Sequence, residues 1–185
     1  MFSEVLYPRV FVELQGGDLE RLVSRESQDG RSAWEYVDQS HTSGRHGGGP
    51  RLRLVFNAYG RRVLRGLHQG WGVQLALGNN LIIDHFLQDQ DWYDELAEIL
   101  RDVSSRTFNV GVHCSLEELE RRESSRADGA LEGRPLGLAR RSDELCHEHG
   151  LVYDVEVHTD RETTDDSVER VVAAMRQASL LRAVP

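Results

Sequence analysis

Asp84 closes a short apolar run, Asn79-Asn80-Leu81-Ile82-Ile83-Asp84-His85-Phe86. An acid in that place can orient Mg²⁺ or its waters during phosphoryl transfer; the plain alternative is an acid that caps the next helix. Arg122, Arg126 and Arg134 form a second group. Their guanidinium groups could neutralise a transferring phosphate, or pair with Glu118, Glu123 and Asp128 on a solvated face, where each pair is worth little. Arg121 and Arg122 point about 100° apart on a helix, so at most one is expected to reach a site. His113, His147, His149 and His158 are residue types that suit zinc or iron, but their spacings form no ligand motif, so a metal site depends on convergence in space. Cys114 beside a histidine could form a nucleophile pair, although strand-end cysteines usually bury as small hydrophobes. His41 and His46 fall in a glycine-rich stretch and read as idle.

Composition removes several chemistries. All 22 basic residues are arginine, and no lysine occurs among the 185 residues. Schiff-base chemistry and a lysine general base are therefore excluded. So is the ammonium that reaches the β- and γ-phosphates in a nucleotide-binding P-loop, a place where a planar guanidinium is a poor substitute. A net charge of −9 argues against a nucleic-acid or anionic-membrane partner. No apolar run approaches the ~20 residues of a bilayer span. The start, Met1-Phe2-Ser3-Glu4-Val5-Leu6-Tyr7-Pro8, lacks the basic-then-apolar pattern of a secretory signal, so a cytoplasmic location is expected. Cys114 and Cys146 read as free thiols.

The elements that must position these groups follow from periodicity. The first ~37 residues are irregular, with an apolar stretch from Phe2 to Val12 broken at Pro8. Residues 38–50 read as a flexible loop rich in glycine and other breakers. A helix is predicted from about Tyr59 to Leu77, stopped by Gly78. Strand 79–86 follows, then a helix over about 91–103 with Trp92, Leu96, Ile99 and Leu100 on one face. Phe108 to Cys114 is a second strand, and Ser115 with Glu118 reads as a capping box opening helix 116–125. A helix over about 135–149, a strand over 153–159 and a last helix over about 164–181 complete the pattern. Alternation of strand and helix predicts parallel strands joined by crossovers. Ligands of such sheets lie beyond the carboxyl ends of the strands, which would put Asp84, His85, His113, Cys114, His158 and Thr159 on one rim.

Four stretches carry a resemblance. They are Tyr59-Gly60-Arg61-Arg62 leading to Gly78–His85; Val110-Gly111-Val112-His113-Cys114-Ser115 through Glu123; Arg126, Asp128 and Arg134-Pro135-Leu136-Gly137-Leu138-Ala139; and His147 followed by Tyr153–Thr159. In this order they resemble the chloramphenicol phosphotransferase-like family of P-loop kinases. The resemblance implies a three-layer parallel sheet of the P-loop kinase type, with ATP and Mg²⁺ phosphorylating a hydroxyl of a small, antibiotic-like molecule. It gives Asp84, Arg122, Arg126 and Arg134 catalytic places, Asp84 touching Mg²⁺ through water, and makes about 126–139 a lid.

The departures are as pointed. No Gly-x-x-x-x-Gly-Lys-Ser/Thr loop is present; its nearest echo is Val10–Leu22, with Gly16 and Gly17 as remnants of a phosphate-binding turn. In another register Phe2–Leu6 matches the helix after the family's second strand, which would put the loop and the substrate-activating aspartate ahead of Met1, as in a truncated reading frame. His158 stands where the family shows an aspartate, and Gly129–Gly133 lengthen the lid. The expectation is one domain over 1–185 without an intact Walker A loop, inactive alone as a kinase, or else a non-catalytic binding or scaffold protein. Its central strand would be missing, leaving edges for Val10–Leu14 or a second chain, as a homo-oligomer, to fill.

Overall fold

The computed structural model describes residues 11–14, 34–103, 106–127 and 135–180. It is a mixed α/β chain: β1 (Phe11–Leu14), β2 (Trp34–Asp38), β3 (Leu52–Phe56), α1 (Ala58–Ala76), β4 (Asn80–Ile83), α2 (Gln90–Asp102), β5 (Val110–His113), α3 (Leu116–Ala127), α4 (Leu138–Cys146), β6 (Val155–His158) and α5 (Thr164–Gln177).

The helices start and stop for local reasons. Asn57 Oδ1 accepts the Tyr59 and Gly60 amides, each at 3.0 Å, and opens α1. The helix closes at Leu77, followed by Gly78 at φ +86°. Trp92, Leu96 and Ile99 recur at helical spacing and bury one face of α2. Where α2 meets α1, a side chain on Gly72 would stand 2.7 Å from Ile99 Cγ2, so the approach of the two helices requires glycine there. In α5, Thr163 and Asp166 form a reciprocal capping box. The box expected at Ser115 and Glu118 is not the arrangement found: Glu118 gives its carboxylate to Arg121 and Arg122 instead.

Among the described residues the strands pair into three two-stranded sheets, two of them parallel, and they do not join into the continuous parallel sheet that was expected. β1 pairs in parallel with β4, Phe11 opposite Asn80; β5 pairs in parallel with β6, His113 opposite His158. β2 and β3 form an antiparallel pair, Trp34 opposite Phe56. Among the described residues no strand joins β4 to β5. Phe11–Leu14 is thus a partner of β4, not a strand bridging to β5.

The main core lies where the β2–β3 pair meets α1 and α2. Phe56, Leu64 and Trp92 are buried there, with Trp34, Leu54 and Leu87 around them. The Phe56 and Trp92 rings meet edge-on with centroids 5.3 Å apart. Elsewhere Val157, Leu138 and Leu145 are buried on β6 and α4.

Candidate functional site

The connection 39–51, which takes in most of the flexible loop expected over 38–50, is tied to α4 at several points. Arg51 and Glu144, both fully buried, form an ion pair with Arg51 Nη2 2.9 Å from Glu144 Oε1 and Arg51 Nε 3.0 Å from Oε2. Arg51 also donates to the Gly47 carbonyl, and Arg140 Nη1 donates to the His46 and Gly48 carbonyls. His46, expected to be idle, has Nε2 2.7 Å from Asp143 Oδ2. The second nitrogen of the Arg140 fork meets Glu120 of α3 at 2.6 Å, so one guanidinium ties this loop and α3 to α4.

The carboxyl ends of β5 and β6 open onto a cleft of about 370 Å³ lined by Ser115, Glu117, Glu118, Arg121, Arg122, Thr159 and Asp160. Arg122 donates to Glu118 Oε1 at 2.7 Å, Thr159 Oγ1 at 3.0 Å and the Thr159 carbonyl at 2.9 Å. Arg121 holds both Glu118 oxygens, at 2.6 and 2.7 Å. Both arginines therefore line the cleft, where at most one was expected, because Glu118 draws them together at positions i+3 and i+4. Their hydrogen bonds hold the Glu118 carboxyl down at about 2. At Asp160, burial raises the carboxyl, and the Ser115 hydroxyl and amide with other contacts outweigh it and leave it below the ordinary range.

Asp84 and Arg126 are exposed, and neither makes a hydrogen bond or ion pair among the described residues. Of the described members of the expected catalytic set, Arg122 is the one that lines the cleft. Arg134, Gly16 and Gly17 lie outside the described residues, as do Asp128, Gly129–Gly133 and Phe2–Leu6.

Of the four histidines considered for a metal, three converge: His113, His147 and His158. The His113 and His147 rings stack with centroids 4.4 Å apart, and His113 and His158 with centroids 5.2 Å apart. Register places His113 beside His158, and the C-cap of α4 brings in His147, whose Nδ1 lies 2.6 Å from the Tyr153 hydroxyl. His113 Nε2 is 3.0 Å from Glu156 Oε2 but outside hydrogen-bonding geometry. His149 is elsewhere, bonded to the Leu87 carbonyl and stacked on Tyr93. Stacked rings do not aim nitrogens at one point, and among the described residues no group of three or more His, Cys, Asp or Glu side chains is set to hold a metal ion. Burial of Cys146 pushes its thiol up to about 12, the behaviour of an inert structural cysteine.

One cluster was not anticipated. His85, beside Asp84, has Nε2 2.9 Å from Nε2 of the fully buried His68, whose Nδ1 is 2.7 Å from Glu95 Oε1. The available signal was His68 itself, a titratable residue on the apolar face of α1, one turn from Leu64 and from Trp71.

An α/β chain with an arginine-bearing helix leaving one of two parallel strands defines the class of protein. The sequence matches the chloramphenicol phosphotransferase-like protein family over residues 37–176, and the chain belongs to that family. No curated protein matches it. The family suggests a phosphotransferase-type activity. The residues lining this cleft do not by themselves fit a nucleoside triphosphate: Arg121 and Arg122 hold Glu118 and Thr159, and Glu117, Glu118 and Asp160 would face its anionic oxygens. No helix of the described residues is long and apolar enough to cross a membrane.

Proposed function

We propose that this chain is a phosphotransferase-like protein whose cleft, at the carboxyl ends of β5 and β6, derives from a kinase site acting on a small-molecule hydroxyl, and that residues 1–185 alone do not transfer phosphate from ATP. Membership of the family supports the first part. One observation carries the second: no lysine exists anywhere in the 185 residues, and the two arginines in the cleft are committed to Glu118. Each preorganised transition-state donor lost from an active site removes ~2.7–4 kcal/mol of stabilisation, so several absent contacts leave little rate. Substitution by arginine does not restore them, since its fork lies flat where a compact ammonium is needed.

The test is purified 1–185 with ATP, Mg²⁺ and chloramphenicol, followed by phosphorus NMR and by calorimetry. No phosphorylated product is expected. Product formation that Asp84→Ala abolishes would overturn the reading and restore Asp84 to a catalytic place. Heat of ATP·Mg²⁺ binding without product would mark a retained binding site, as in a non-catalytic binding protein.

A further inference from the structure

Glu95, His68 and His85 form an unbroken hydrogen-bonded chain inside the protein. His68 is completely buried between α1 and α2, and Trp71 and Trp92 wall the cluster: His85 meets Trp71 edge-on at 5.3 Å and stacks on Trp92 at 6.3 Å. Glu95 Oε1 takes His68 at 2.7 Å, while its other oxygen takes Arg65 Nε at 2.8 Å. The outer end, His85, directly follows Asp84 beyond the carboxyl end of β4.

The hydrogens on this chain are dictated by its chemistry. Burial depresses His68, and burial together with the His68 ring takes His85 down to about 3, so both are neutral at pH 7. An ionised carboxylate only accepts, so His68 carries its hydrogen on Nδ1. A neutral imidazole has one N–H; His68 Nε2 is therefore an acceptor, and the hydrogen between the rings belongs to His85 Nε2. With its hydrogen on Nε2, His85 keeps the lone pair on Nδ1, the basic nitrogen at the outer end of the chain. Packing alone does not call for this arrangement, because apolar side chains fill such space without desolvating three polar groups.

We propose that these three residues are a proton relay between the surface beside Asp84 and solvent at Glu95, with His85 as the proton acceptor. In the step, a donor's O–H bond breaks and its proton goes to His85 Nδ1. The His85 Nε2 proton passes to His68 Nε2, and the His68 Nδ1 proton passes to Glu95 Oε1. The donor keeps the electron pair of the broken bond as an oxyanion, both imidazoles end neutral with their tautomers exchanged, and Glu95, 23% exposed, becomes a carboxylic acid that releases the proton to water. Only the donor's identity, a small-molecule hydroxyl, rests on the phosphotransferase reading.

Nitrogen NMR of histidine-labelled 1–185 tests the relay without turnover. At pH 7 His68 is expected as the Nδ1–H tautomer and His85 as the Nε2–H tautomer. In Glu95→Gln, whose amide oxygen still accepts from His68 but cannot take up a proton, solvent exchange of the His85 Nε2 proton should slow at least tenfold, with circular dichroism and the His68 tautomer unchanged. A merely structural Glu95 would leave that rate alone. Hydrogen on His85 Nδ1 in the unsubstituted protein, or exchange unaffected by Glu95→Gln, overturns the proposal. The tautomer measurement needs no variant to fold. A failed ATP assay leaves both readouts untouched, so the two proposals fail separately.

Discussion

Three partners from separate parts of the chain converge on the Glu144 side chain. Its oxygens receive Arg51, Arg141 and the His46 amide, and its side chain is fully buried. The Arg51 hydrogen bond is the largest influence holding its carboxyl down at about 2, against an ordinary value of 4.5. A carboxyl depressed in the folded state stabilises the protein above its unfolded value, and that contribution is lost as pH falls from about 4.5 toward 2. Glu144→Gln keeps the shape and removes the charge, leaving Arg51 buried and unpaired. The urea midpoint should therefore drop at neutral pH, while the further loss between pH 4.5 and 2 shrinks relative to the unsubstituted chain. Parallel stability–pH curves for the two proteins would show that the pair does not govern acid lability. The sequence offered no reason to join Arg51 to Glu144, since they are separated by 93 positions and meet only after 39–51 folds over α4.

At the scale of elements, α4 begins without a cap of its own. Gly137 sits at its N-cap with φ +99° and has no side chain to offer. Glu123 of α3 supplies the acceptors from another helix, taking the Gly137 amide at 2.9 Å and the Ala139 amide at 2.8 Å. The same helix end attracts negative charge through its exposed amides. Glu123→Ala should cost about 0.5–2 kcal/mol, as loss of a local cap does, whereas the exposed Glu98→Ala should stay within about 0.5 kcal/mol. Equal urea midpoints for the two variants would remove the capping role. Helices were the legible part of this chain because apolar spacing such as Trp92, Leu96, Ile99 belongs to the element itself. The β2–β3 pair was not legible. Its strands are joined by the long stretch 39–51, where ordinary hairpin loops run about 2–5 residues. The Ser115–Glu118 pattern misled for a related reason: arginines at the next turn outcompeted the backbone amide for the same carboxylate.

At the scale of the whole molecule, convergence decides what spacing cannot. His113 and His158 are neighbours through strand register and His147 joins them through the end of α4, while His149, two residues on, turns toward Leu87 and Tyr93. His68 and His85, 17 positions apart, meet because α1 returns alongside β4. A protein that buries neutral imidazoles on several elements stores a collective sensitivity to acid. Burial lowers His68, His85 and His147, the last also facing His113, with Asp143 and Glu156 opposing and Arg45 assisting. A histidine depressed by folding binds its proton more readily when unfolded, so stability is full above the ordinary 6.5 and declines as pH falls toward the folded value, about 3 for His85. The decline should therefore begin near pH 6.5, well before any carboxylate with an ordinary value of 4.5 titrates. Tryptophan fluorescence reports it directly, since Trp71 and Trp92 enclose the His68–His85 pair. In His85→Phe, which keeps a ring against Trp92 and removes one titrating group, the slope of the urea midpoint between pH 6.5 and about 5 should be shallower. A flat response of the unsubstituted chain across that interval would mean that the buried imidazoles do not carry this proton linkage.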